Sequence, residues 1–178
     1  MDDPTNQPNV FVVQHEAKRH YSVQATRLIH EHYGDIMAFM YSRAPLRQLV
    51  QDKFLGEWKY LHLALFELPE ERATRALIEL GMYIRLIDDD EDRLLSKLRA
   101  GLTYGYVVRK DGSRVDLAYR EVSNKIIHAL RYEWLNAPGD DDPSVVCIPS
   151  DDEGNRHHWT SARINLVALG SICGAFMS

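Results

Sequence analysis

The chain has 178 residues, 45% of them hydrophobic and 26% charged, with a formal net charge of −5. That length suits one domain whose core needs no covalent staples. The acidic balance works against a general nucleic-acid binder, which carries a basic surface, although it leaves room for a small local basic site.

The opening, MDDPTNQPNV, is acidic and polar and unlike a secretory signal. Residues 1–10 are expected as a disordered lead-in to a single helical domain over 11–178. No apolar run approaches the roughly 20 residues of a membrane helix, so no membrane association is expected. Cys147 and Cys173 are the only cysteines and lie far apart. Two reduced thiols in a cytoplasmic protein are the expectation.

The N-terminal half reads as helical, with Gly34 and Pro45 as interruptions. FLGEWKYLHLALFEL is apolar enough to predict a mostly buried helix. PEERATRALIELGMYIRLID follows as the clearest helix. Pro69 suits its first turn, Glu70 and Glu71 complement the dipole, and Ala73, Ala76, Leu77, Leu80, Ile84 and Ile87 recur at helical spacing. Asp88 to Asp92 should end it or restart a helix in DEDRLLSKLRAGL, with Arg85 and Arg93 pairing to the acidic run.

YGYVVRKDGSRVDL has two β-prone runs around Asp111-Gly112, the two-residue signal for a tight hairpin. REVSNKIIHALRYEW, Arg120 to Trp134, then reads as one helix. SVVCIPSDDEGNRHHWT predicts a second hairpin turning near Asp152 to Asn155. Thr160 or Ser161 could cap a last helix, ARINLVALGSICGAFM. In that helix Gly170 and Gly174 allow close helix approach, either within the chain or in a homodimer.

At about 100° per residue, Val122, Ile126, Ile127, Ala129, Leu130 and Trp134 gather on the core side of the Arg120–Trp134 helix. Glu121, Asn124, His128 and Arg131 gather opposite, with Arg120 at the margin. Asn124 and His128 are one turn apart and can meet. A neutral imidazole can act as general base near pH 7 and a guanidinium can hold phosphate. His128, Asn124, Arg120 and Arg131 are therefore the candidate catalytic set, suited to cutting a phosphodiester beside a 2′-hydroxyl without metal. Read blandly, the same stripe is an ordinary exposed helix face.

The other candidates carry less. His30 and His32 are two apart and face different ways on a helix, while His157 and His158 are adjacent, so at most one of them faces inward on a strand. None has zinc-type spacing, and the acidic runs lack the calcium-loop pattern with its distal glutamate. No glycine-rich phosphate loop, nucleophile elbow or C-x-x-C is present. Neither cofactor nor metal is expected.

REVSNKIIHA, with ALIELGMYIRLIDDD upstream and HHWTSARINL downstream, resembles segments in a group of uncharacterised bacterial proteins of similar size. In that group a hairpin precedes such a helix and a strand pair ending in tryptophan follows it. Asn124 and His128 also resemble the end of the motif of the HEPN superfamily, all-helical and often dimeric domains that include many ribonucleases. That motif places an arginine four to six residues before the histidine, where this chain has Glu121, Val122 and Ser123, and Arg120 misses by one. The resemblance implies a degenerate site that keeps the fold and the dimer.

The fold expected is mainly α, a single helical bundle with two small peripheral β-hairpins. The function expected is that of a non-catalytic, HEPN-like domain acting as a homodimer or through a protein partner, with RNA disfavoured by net charge. The alternative is a metal-independent ribonuclease or nucleotide-processing enzyme with His128 as general base.

Overall fold

The computed structural model describes residues 10–54, 56–90, 102–135, 142–150 and 158–176. The expected lead-in, the helix restart after Asp90 and the turn near Asp152 to Asn155 fall wholly or largely outside these residues. The elements are α1 (Val10–Lys53), a 3₁₀ segment (Gly56–Leu61), a π segment (Leu63–Glu67), α2 (Leu68–Asp90), β1 (Gly105–Arg109), β2 (Arg114–Asp116), α3 (Tyr119–Ile127), β3 (Arg131–Leu135), β4 (Ser144–Ile148), β5 (Trp159–Asn165) and α4 (Leu166–Ala175).

The helical bundle with peripheral hairpins is corrected by the sheet. Among the described residues, all five strands join one antiparallel sheet in the order β2-β1-β5-β4-β3. Its inner face carries Val107, Trp134, Val145, Cys147, Ala162 and Ile164, all buried. The helices cover that face: Phe39 of α1 meets Trp134 edge-on at 5.2 Å, and Trp134 Nε1 donates to Thr74 of α2 at 3.4 Å. Helices on one side of an antiparallel sheet make a two-layer α+β arrangement. The all-helical architecture implied by the HEPN motif is not the one observed.

Several elements differ from expectation for local reasons. α1 runs through Gly34 and Pro45 without a break. The FLGEWKYLHLALFEL stretch forms the 3₁₀ and π segments, and Tyr60, Leu61 and Leu63 are exposed. α2 buries the six residues its spacing predicted. The first hairpin turns over Lys110, Asp111 and Gly112, with Gly112 at φ +81° and Arg109 N–H donating to the Ser113 carbonyl at 2.9 Å. Three-residue hairpin loops use such a glycine to form a bulge. β5 takes in Thr160 and Ser161, so the cap of α4 is Asn165, whose side chain accepts from Ala168 N–H at 2.9 Å. Gly170 lies against the Tyr33 ring of α1, so its close approach is intramolecular.

The largest local correction concerns Arg120 to Trp134. The helix ends at Ile127, and Arg131–Leu135 is edge strand β3. RYEWL alternates exposed and covered residues along its length, the period of a strand. Leu130 N–H donates to the Ile148 carbonyl at 2.8 Å and begins the pairing. Leu130 is consequently exposed, and Trp134 is buried from a strand.

Cys147 and Cys173 are both buried free thiols, and burial pushes each up to about 12. The thiolate is the reactive form. Ellman's reagent at pH 8 is expected to titrate neither thiol in the native protein within minutes and both at once in 6 M guanidinium. Fast native labelling would contradict this packing. Among the described residues, no helix is long and apolar enough to cross a membrane.

Candidate functional site

The site follows from topology. β2 and β3 are the two edges of the sheet, and α3 lies between them in the chain. Four strand spacings of about 4.8 Å separate the edges, roughly 19 Å. The connection must therefore cross over the sheet, and α3, nine residues long, supplies about 13 Å of that path. Tyr119, Val122, Ser123 and Ile126 form its buried stripe, at spacings of three and four residues. Glu121, Asn124, Lys125 and His128 lie on the other side, where a groove of about 1150 Å³ opens between α3, the end of α2 and the β1–β2–β5 end of the sheet.

Two local devices shape this groove. The first is Gly81 in α2. A β-carbon there would come within 2.8 Å of Ile126 Cγ2, so the glycine lets α3 lie close against α2. One turn further on, Arg85 reaches into the groove and its Nη1 donates to Asn124 Oδ1 at 2.6 Å. The second device is a bulge. β1 and β5 pair regularly from Gly105↔Ile164 to Val108↔Ser161, then shift so that Arg109 lies opposite Trp159. The extra residue, Thr160, is exposed, and Trp159 turns onto the buried face out of phase with Ala162. Bulges re-aim side chains in this way.

Val107, Val115, Ile127 and Trp159 form the apolar wall. The charged lining is one-sided. Arg85, Arg109 and Lys125 face a single carboxylate, Glu121, among the described lining residues, and His128 and His158 complete the set. Lys125 Nζ sits 4.8 Å from the centroid of the Trp159 ring. Burial holds its ammonium below the usual lysine range, with Glu121 opposing that shift. The ammonium is thus partly stripped of water, and an anion brought beside it would restore the lost solvation. The volume exceeds the roughly 300–1,000 Å³ of ordinary small-molecule pockets, which suits an extended ligand.

The four residues expected to act together are divided. His128 and Asn124 line the groove. His128 is exposed and closes α3 as its C-cap, its backbone N–H donating to the Asn124 carbonyl at 3.0 Å. Arg120 is not in the groove lining. It lies 3.9 Å from Asp88, which also accepts from the Tyr119 hydroxyl at 3.0 Å. Arg131 stands on β3, 3.3 Å from Glu133. The guanidinium beside Asn124 comes instead from Arg85, 39 residues upstream; its expected pairing to the acidic run falls largely outside the described residues.

His30 and His32 diverge as a helix requires. His30 Nε2 donates to the Cys173 carbonyl at 2.9 Å, and His32 Nε2 lies 3.2 Å from Glu79 and stacks on Tyr83. Among the described residues no cluster of three His, Cys, Asp or Glu side chains is placed to hold a metal ion. A smaller groove of about 530 Å³ between α1 and the π segment has balanced charges, with Arg43 3.4 Å from Glu70 and His62 3.3 Å from Glu67.

Compared with known protein families, characterised proteins and solved structures, the chain matches none.

Proposed function

We propose that the chain binds a phosphodiester ligand, RNA or a nucleotide, in the groove beneath α3, and cuts it without a metal, with His128 as general base. The observation that carries the reading is local charge. A chain of net charge −5 gathers three cations around His128, with one carboxylate among the described lining residues. In the reading, Arg85 orients Asn124 and brings a guanidinium charge to the phosphate. Lys125 supplies a partly dehydrated charge and Arg109 extends the track along the sheet.

Arg120 and Arg131 are paired away from His128. That favours a second reading, in which the groove binds the same ligand and leaves it intact.

One experiment tests both. A fluorescein-labelled single-stranded RNA decamer is titrated with protein in EDTA, and the same samples are run on a denaturing gel. Binding should weaken with salt, with a log–log slope of about −2 for three contacts at ~0.7 per phosphate on single strands. Lys125→Ala should lower affinity about tenfold, near the 1.5 kcal/mol of a hydrogen bond to a charged group. Its slope should shrink by about 0.7. No binding at low salt, or an unchanged slope in Lys125→Ala, would remove the groove from consideration. Binding with intact RNA would select the second reading.

A further inference from the structure

We infer that His158 is the partner of His128 in an acid–base pair, and that the substrate class is RNA cut through its own 2′-hydroxyl. The inference rests on the catalytic reading of His128 and deepens it. His128 comes from the end of α3 and His158 from the start of β5, and both line the same groove. Lys125 connects them. It stands three residues before His128, on the same helix flank, and its ammonium lies on the ring of Trp159, the residue after His158. The cation is thereby tied to the neighbours of both imidazoles, and in the inference the phosphate sits beside it. The bulge at Thr160 sets this arrangement, because it turns Trp159 inward and fixes where the chain leaves β5 towards His158.

Two histidines lining one groove, one as base and one as acid, would satisfy what transesterification needs. The imidazole of His128 takes the 2′-hydroxyl proton as the 2′-oxygen forms its bond to phosphorus. The bond from phosphorus to the 5′-oxygen breaks, and the imidazolium of His158 gives its proton to that oxygen. The products are a 2′,3′-cyclic phosphate and a 5′-hydroxyl. No water or oxidant is consumed, and exchange with solvent resets both rings. Arg85, Lys125 and Arg109 face the phosphate throughout, and Glu121 is the one described carboxylate beside it.

The test varies the leaving group. Wild type, His128→Ala and His158→Ala are assayed in EDTA on an RNA decamer and on uridine 3′-(4-nitrophenyl phosphate). Nitrophenolate departs without a proton. His158→Ala should slow RNA cleavage at least a hundredfold, within the usual range for a lost acid or base. It should slow the nitrophenyl substrate less than tenfold. His128→Ala should slow both alike. His158 is exposed, so its replacement should leave the melting temperature unchanged. Equal slowing of both substrates by His158→Ala, or no slowing of RNA, would overturn His158 as the acid while leaving His128 standing. Wild type that binds RNA and cuts neither substrate would remove both roles together.

Discussion

Gly105→Ala should lose about 4 kcal/mol of stability, a large share of the roughly 5–15 kcal/mol that holds an ordinary domain folded. Gly105 starts β1 at φ +130°, where side-chain-bearing residues are strained. A β-carbon would run into the Arg163 carbonyl oxygen and come within 2.9 Å of its carbon and 3.2 Å of Ile164 Cα. These are backbone atoms of the central strand, so no rotamer relieves the overlap. Backbone strain of ~1–3 kcal/mol adds to an overpacking cost of similar size. Urea denaturation followed by far-ultraviolet circular dichroism checks it through the midpoint. A midpoint within experimental error of wild type would show that β1 and β5 separate without penalty, contrary to the register described. Gly112→Ala, in open space at the hairpin turn, is the comparison that bears only the conformational part.

His128→Ala should reduce RNA cleavage by about 10²- to 10⁴-fold, the usual contribution of a positioned general base. RNA affinity should stay within about threefold, since the three cations of the groove remain. His128 caps α3 through its backbone N–H, which alanine keeps, and its side chain is exposed. Single-turnover rates beside anisotropy measure the two quantities separately. Parallel loss of affinity and rate would make His128 a ligand contact, and an unchanged rate would end its candidacy as base. Added imidazole should restore part of the rate in the alanine variant and none in Lys125→Ala.

Legibility in the sequence follows the range of the forces involved. α2 could be read because its six buried residues recur at one helical period and nothing competes with that period. Asp111-Gly112 announced its turn because the glycine's conformation is a local property. The outward side of α3 was readable for two turns, which is why Asn124 and His128 were found. The wheel failed at Arg131, where the period changes from helix to strand within five residues. The joining of two hairpins into one sheet lies in pairings such as Val107↔Ala162, and no local period records them. Arg85 and His158 reach the groove by tertiary placement alone. Lys125 was the nearest miss. It sits between Asn124 and His128 in sequence and on the same outward side of α3, and its ammonium is drawn over an aromatic ring that arrives with a distant strand.

The central place of β5 also governs how the molecule can be assembled. β1 and β2 precede α3 in the chain, β3 and β4 follow it, and the strand that joins these halves comes after both. Until β5 inserts, each half presents an open edge that could recruit another chain. The contacts that close the sheet are distant in sequence, which raises contact order and slows folding. The groove is completed by the same event, because its Trp159 wall arrives with that strand. Ligand competence and closure of the sheet should therefore appear with a single rate constant in refolding, and a holdase chaperone that shields the open edges would delay both equally.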